Sequence, residues 1–154
     1  MLTGVLLVAL LGMAASGIPL VEALYDPRYA AAGPVVILIA CIQIPHVIGM
    51  TYDQAALAAG DSRRFCYVLS AKAVLFLALF LVGAETGGLV GALLGQGLAL
   101  LLSYPLIVWL ARQYGQWDPL HDIAYAAASF TCASAIIWAN WEAICALSAA
   151  IEVR

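Results

Sequence analysis

The sequence predicts an all-α integral membrane protein, built as a single bundle of about five to six transmembrane helices. Two features of its composition carry that prediction. The 154 residues are 66% hydrophobic and 10% charged, whereas soluble domains are about half apolar and a quarter charged, and the mean hydropathy is +1.03. The third observation is the pattern, because short polar turns separate apolar runs that are long enough to cross a bilayer core of about 30 Å.

Composition and cysteine spacing also indicate which kinds of partner and site to expect. The net charge of -3 is spread thinly along the chain, and without a basic cluster we expect no nucleic-acid partner. The cysteines form no C-x-x-C pair and fall inside apolar runs, so we expect buried thiols that act as small hydrophobes. They are Cys41, Cys66, Cys132 and Cys145. No catalytic residue, cofactor or metal site is predicted.

The first predicted span covers residues 2–23. No Lys or Arg precedes it, and it is about twice as long as the apolar part of a secretion signal, which favours a permanent helix. Small residues from Gly12 to Gly17 should let a neighbouring backbone approach closely, and Pro19 should bend the helix.

A polar turn, Leu24–Pro34, leads into the second span, 34–59. Asp26 is placed to cap a helix and Pro27 to occupy its first position, so the helix is expected to begin at Pro27 or, if Gly33-Pro34 interrupts it, at Pro34. From Pro34 the run would be roughly 39 Å long. It should therefore tilt, bend at Pro45 or protrude.

The second span is the most polar. Four of its side chains fall within one sector about 100° wide, which is expected if that face lines a polar cavity. They are Gln43, His46, Asp53 and Gln54. The alternative, equally open, is that Gln43 and His46 bond to neighbouring helices while the other two lie at the membrane interface.

The third and fourth spans cover 65–82 and 87–111. Asp61 or Ser62 should cap the third, and Lys72 lies roughly 10 Å beyond that turn, near enough to snorkel yet deep enough to be a candidate ligand. In the fourth, Gln96 flanks a ridge of small residues that recur at every fourth position and should pack against a partner helix. The ridge comprises Gly83, Gly87, Gly91, Gly95, Ala99 and Ser103, with Pro105 beyond it as a predicted kink.

The fifth span covers 121–139, and a partial sixth covers 142–152. Asp118-Pro119 repeats the Asp-Pro pair of the first turn, in which Asp caps a helix and Pro takes its first position. Trp117 is expected to anchor the chain at the membrane interface. The predicted orientation of the chain in the membrane follows from its positively charged residues. Alternating spans put Arg63, Arg64, Lys72 and Arg112 on one side and Arg28 on the other, so the first group and the N-terminus should be cytoplasmic.

The chain resembles the C-terminal half of the polysaccharide and oligosaccharide flippases of the multidrug/oligosaccharidyl-lipid/polysaccharide (MOP) exporter superfamily. The resemblance covers residues 15 to 125 approximately. The motifs that carry it are Gly17-Ile18-Pro19, Leu24-Tyr25-Asp26-Pro27-Arg28-Tyr29-x-x-Ala32-Gly33, Ala56-Leu57-Ala58-Ala59-Gly60-Asp61-Ser62-Arg63, Gly87-Gly88-x-x-Gly91-Ala92 and Trp117-x-Pro119-x-x-Asp122.

The resemblance implies two similar bundles around a cavity that opens alternately to either side of the bacterial inner membrane. It implies transport of an undecaprenyl-diphosphate sugar unit for exopolysaccharide, O-antigen or capsule assembly. This chain would supply one bundle and is expected to be a fragment of a longer protein that carries the missing N-terminal bundle. Candidate cavity residues are Gln43, His46, Lys72 and Gln96.

Other functions remain open at this point. A multidrug or cation antiporter of the same superfamily would need an Asp or Glu deep in a span, and Asp53 is the nearest approximation. A non-transporting truncated remnant is the next alternative. A membrane enzyme is disfavoured, since His46 has no Gly-x-Ser-x-Gly partner and the carboxylates do not cluster.

Overall fold

The computed structural model describes residues 2–152 and is helical almost throughout, with no β-strand among those residues. Seven α-helices and one 3-10 turn follow one another along this described part of the chain. The bounds are α1 Leu2–Ala15, α2 Gly17–Leu24, the 3-10 turn Pro27–Tyr29, α3 Ala32–Ile42, α4 Ile44–Ala58, α5 Ser62–Gln113, α6 Pro119–Ala139 and α7 Trp141–Glu152. The all-helical class predicted from the sequence is therefore confirmed.

Several of these helices are long and apolar enough to cross a membrane. Three segments meet both conditions within the described residues: Ala32–Met50, Ser62–Gln113 and Pro119–Ala139. A fourth is reached if Thr3–Ala15 and Gly17–Leu24, which meet at an angle of 64°, count as one broken span. In Ser62–Gln113 only 6% of the most apolar window is buried. The side chains of that window are therefore mostly left uncovered by the described residues.

Two interruptions of the helices lie just before prolines. The first separates α1 from α2 at Ser16, three residues before Pro19, and the second separates α3 from α4 at Gln43, two residues before Pro45. Proline has no N–H to donate to the carbonyl four residues earlier, so the helical ladder loses a bond at each place. At the first break the Ser16 hydroxyl donates to the Gly12 carbonyl at 2.8 Å.

The first polar turn contains less helix than a start at Pro27 would give. Of the two predicted helix starts, the one at Pro27 is wrong, because only a 3-10 turn forms there. The other, at Pro34, lies two residues inside α3, which begins at Ala32. The Tyr29 N–H donates to the main-chain carbonyl of Asp26 at 2.9 Å, whereas the Arg28 N–H lies 3.5 Å from its carboxylate. The backbone closes a single turn, and the aspartate side chain is too far away to extend it.

The described residues divide into two compact units, one of residues up to Ile44 together with those from Ala127 onward, and one of Pro45–Ala126. In the first unit, α2 and α3 approach closely at two glycines. A Cβ on Gly17 would lie 2.9 Å from Cγ1 of Ile37, and one on Gly33 would lie 3.0 Å from Cα of Ile18. The close approach predicted for the small residues of the first span is thus confirmed at Gly17.

In the second unit, α5 reverses direction within its 52 residues. The backbone dihedrals are non-helical at Gly87 and Gly88, and Gly88 has a φ of +55°, which an L side chain rarely adopts. The result is a hairpin with a first arm, 62–86, and a second arm, 89–113. A Cβ on Gly91 would overlap the carbonyl oxygen of Gly83, and one on Gly95 would overlap that of Leu79. Of the predicted ridge, Gly91 and Gly95 therefore pack against the first arm, on which Gly83 itself lies, whereas nothing lies within 4 Å of a Cβ on Gly87 in the turn.

The cysteines differ from the expectation that all four are buried. Cys41 is buried, but Cys66, Cys132 and Cys145 are exposed, so the expectation was wrong for these three. The physical reason is that an apolar helix presents apolar residues on every side, including the sides that no other helix of this chain covers. An apolar setting in the sequence is therefore no measure of burial here.

We expect Gly95→Ala to lower the free energy of unfolding by about 1–3 kcal/mol, because the added methyl group would press on the backbone of the first arm. Gly12→Ala is the matched control, since nothing lies within 4 Å of a Cβ at that helical position, and its stability should be equal or slightly greater. Denaturant unfolding of the purified protein, followed by circular dichroism, measures both. Equal stability of the two variants would contradict the packing of the arms at Gly95.

Candidate functional site

A buried carboxylate connects three helical segments of the second unit. Asp122, which is 4% exposed, lies in the first turn of α6. Its Oδ1 accepts a hydrogen bond from the Tyr52 hydroxyl of α4 at 2.6 Å, and its Oδ2 accepts one from the Tyr104 hydroxyl in the second arm of α5. These three residues are called the tyrosine–aspartate network below. Hydrogen bonds to an ionised carboxylate are about twice as strong as neutral ones.

The start of α6 explains why Asp122 is available for this role. Asp118 caps the helix, since its Oδ1 accepts from the N–H groups of Leu120 at 3.1 Å and His121 at 3.2 Å. Pro119 takes the first position, where no N–H is needed. The Asp122 side chain is not required for capping and can face the two tyrosines. A helix N-terminus also favours a negative charge.

Apolar contacts surround the network. Tyr52 is 6% exposed and forms a cluster with Ile107 and Ala111 of the second arm, and Trp117 packs against that cluster. A neighbouring cluster joins Ala56, Val68 and Leu110, with Phe65, Leu106 and Tyr114 packed around it. Because these side chains exclude water, the hydroxyl bonds to Asp122 are stronger than they would be at an exposed site.

Trp117 packs against other residues of the second unit. It is half-buried, and the Arg112 guanidinium lies 4.1 Å from the centroid of its ring, within the range of a cation–π interaction. Its Nε1 is buried. The ring thus covers the cluster around Tyr52.

An imidazole lies beside the buried carboxylate. His121 Nδ1 is 3.5 Å from Asp122 Oδ1, and the His121 ring lies 4.4 Å from the Tyr125 ring. The His121 side chain is 32% exposed, compared with 5% for the Asp122 side chain. The imidazole therefore contacts solvent, whereas the carboxylate beside it is buried. No group of three or more His, Cys, Asp or Glu within the described residues could hold a metal ion.

A second polar contact lies at the turn before α5. Asp61 caps this helix by accepting from the Arg64 N–H at 3.1 Å, as the sequence predicts for Asp61 or Ser62, and it accepts from the Tyr114 hydroxyl at 2.9 Å. The Arg64 N–H and then the Tyr114 hydroxyl lower the pKa of the Asp61 carboxyl. The ionised form thus stabilises the fold above the ordinary pKa of about 3.9, and this stabilisation is lost as the pH falls through the lowered pKa.

The candidates named from the sequence lie on different segments. Gln43 follows α3, His46 lies in the first turn of α4, and both are half-buried. Lys72 and Gln96 are also half-buried, one on each arm of α5. Because Gly95 faces Leu79, Gln96 lies about 9 Å from the level of Lys72 along the hairpin. The side chains of Asp53 and Gln54, from the same predicted polar sector, lie outside the described residues.

The tyrosine–aspartate network was not among the residues predicted from the sequence. Asp122 entered only as the last position of the Trp117-x-Pro119-x-x-Asp122 motif. One signal could have identified it, because Asp118 already provides the cap and a second carboxylate four residues later must find another partner. Nothing in the local sequence shows that Tyr52 and Tyr104 are those partners. They lie 70 and 18 residues away from Asp122.

We expect Tyr104→Phe and Tyr52→Phe each to lower the free energy of unfolding by about 1.5–3 kcal/mol, since each removes a buried hydrogen bond to a charged group while keeping the ring. Tyr25→Phe is the control, because Tyr25 is 59% exposed, and a change within about 0.5 kcal/mol is expected. Denaturant midpoints of the purified variants provide the comparison. A loss no larger than that of the control would show that the network contributes nothing to stability.

Comparison of the whole chain with protein-family models, curated proteins and solved structures found no match in any of the three. The resemblance to polysaccharide flippases therefore rests on the short sequence motifs. The geometry of the chain itself must support any function assigned to it.

Proposed function

We propose that this chain is a multi-pass protein of the bacterial inner membrane and forms part of a flippase. Its cargo would be lipid-linked oligosaccharide units for exopolysaccharide, O-antigen or capsule assembly. The observation that carries the proposal is the pair of interrupted apolar helices, with breaks at Ser16 and Gln43. Broken helices at membrane depth are a feature of transporters, where the freed backbone groups line a binding site or a water-filled cavity.

Helix lengths support a membrane location. Each arm of α5 has about 25 residues and would be about 37 Å long, enough for a separate crossing. Counting the arms singly, together with the bent pair, Ala32–Met50 and Pro119–Ala139, gives five passes, and α7 adds a shorter segment. The low burial of the α5 surface, 6% in its most apolar window, is what contact with lipid requires.

The cargo is inferred from chemistry together with the resemblance. An undecaprenyl-diphosphate sugar carries a diphosphate, which a cation binds strongly in a partly dry cavity. Lys72 is half-buried on the first arm of α5, and we propose it as the diphosphate partner. Gln43, His46 and Gln96 are proposed as polar contacts for the sugar. A second, similar bundle would complete the path.

One observation favours a second candidate, a drug or cation antiporter of the same superfamily. Ion-coupled antiporters need a buried carboxylate, and the sequence offers Asp53 as the nearest approximation. The structure shows Asp122 buried instead, although it lies in the first turn of α6 and not at the middle of a span. The antiporter therefore stays the alternative, and so does a non-transporting remnant.

A reporter that is active only outside the cytoplasm, inserted after Thr86, should be active in intact cells, because the positive-inside rule places this turn on the outer side. A reporter after Arg64 is the matched control and should be inactive. The opposite pattern would overturn the proposed orientation. Recovery of the protein in the soluble fraction without detergent would overturn the membrane location itself.

Lys72→Ala should lower polymer export by about tenfold or more without lowering the protein level, because it removes a charge-assisted bond to the diphosphate. The measurement is surface polysaccharide in a host whose export depends on this protein. Arg28→Ala, which removes a cation whose side chain is 85% exposed, should leave export unchanged. Normal export in Lys72→Ala would exclude Lys72 as the ligand. Unchanged export on deletion of the protein, with loss of drug resistance, would favour the antiporter.

A further inference from the structure

We propose that Asp122 is a proton-binding site in which the ionised and the protonated carboxyl both find hydrogen-bond partners. The inference concerns the second unit alone and does not depend on the cargo. It rests on four oxygen-bearing groups that follow one another: the Tyr104 hydroxyl, the Asp122 carboxylate, the Tyr52 hydroxyl and the Asp118 carbonyl.

The ionised carboxylate is satisfied as the structure stands. Tyr52 donates to Oδ1 at 2.6 Å and Tyr104 donates to Oδ2. Both donors are neutral, so they stabilise the charge without cancelling it, and the helix N-terminus adds to that stabilisation. The cost of burying the carboxylate is offset by these bonds.

The protonated carboxyl would be satisfied by one rotation of a hydroxyl. The Tyr52 oxygen also lies 3.5 Å from the main-chain carbonyl oxygen of Asp118. When Oδ1 gains a proton, its O–H can donate to the Tyr52 oxygen, and the Tyr52 hydroxyl can turn to donate to Asp118. That carbonyl already accepts the Asp122 N–H at 3.2 Å, but it has a second lone pair. Tyr104 keeps its bond to Oδ2, so one proton is taken up and no donor is left unpaired.

His121 provides a route for the proton. Its side chain is 32% exposed and its Nδ1 lies 3.5 Å from the oxygen that is to be protonated. An imidazole exchanges protons with water near neutral pH, and it can transfer one to Oδ1 by a small rotation. The proton released or taken up then passes between solvent and Asp122 without opening the surrounding cluster.

The titratable and charged groups around the carboxyl come from every element packed there. Tyr52 faces it from α4, Tyr104 from α5, and His121 lies on α6 with Tyr125 against its ring. The Asp118 carboxylate points to the helix N-terminus that it caps, and the Arg112 guanidinium is held over the Trp117 ring.

Infrared difference spectra of the purified full chain between neutral and acid pH test the proposal. The wild type should gain a carboxylic acid band that Asp122→Asn loses. Tyrosine labelled with carbon-13 should show a shift of its C–O band at the same pH, because the Tyr52 hydroxyl changes its acceptor. Tyr52→Phe should lose most of that shift, and Tyr104→Phe, the matched control, should keep most of it, because Tyr104 donates to Oδ2 in both forms and only Tyr52 changes its acceptor atom.

The tyrosine comparison does not require the Asp122→Asn variant to fold. A tyrosine shift that is present in the wild type and Tyr104→Phe but mostly lost in Tyr52→Phe would support the relay. A wild type without the shift, or a shift of equal size in all three proteins, would overturn it. A carboxylic acid band that persists unchanged in a folded Asp122→Asn protein would also overturn the assignment.

Discussion

Every peptide group in so apolar a chain must find its hydrogen-bond partner nearby, and the rest of the structure depends on this constraint. Helices meet it within a single segment, so the described residues are helical almost throughout. The helical hydrogen bonds stop at residues of particular types. Prolines stand just after the breaks at Ser16 and Gln43, and aspartates cap the helices that begin after Asp61 and Asp118.

The capping of helices by aspartates also links the fold to the candidate site. A cap formed by Asp118 leaves Asp122 to bond elsewhere, and the hydroxyls that reach it come from α4 and from the second arm of α5. A single carboxylate thereby connects α4, the second arm of α5 and α6. Because its neighbours Ile107, Ala111 and Trp117 are mostly apolar, the strength of this connection depends on the charge of one group.

Periodicity and turn chemistry were enough to predict the helical class, the cap by Asp61 and the close approach at Gly17, since each depends on residues near one another in sequence. The sequence could not show that Tyr52 and Tyr104 meet Asp122, because that contact depends on how distant helices pack. The sequence also did not show which side chains are buried. Cys66 lies in an apolar run but is exposed, since apolarity does not separate side chains that face helices from those that face outward.

The glycine turn at the tip of α5 has a consequence for biosynthesis. Residues 79 and 83 meet 95 and 91 across it, so the contacts between the arms that lie nearest the turn join positions 8 to 16 apart in sequence. Such local contacts close rapidly, without waiting for the remainder of the polypeptide. As the chain emerges from the ribosome, the arms can therefore pair as soon as both have been made, and α6 would meet a preformed surface on which to place its first turn.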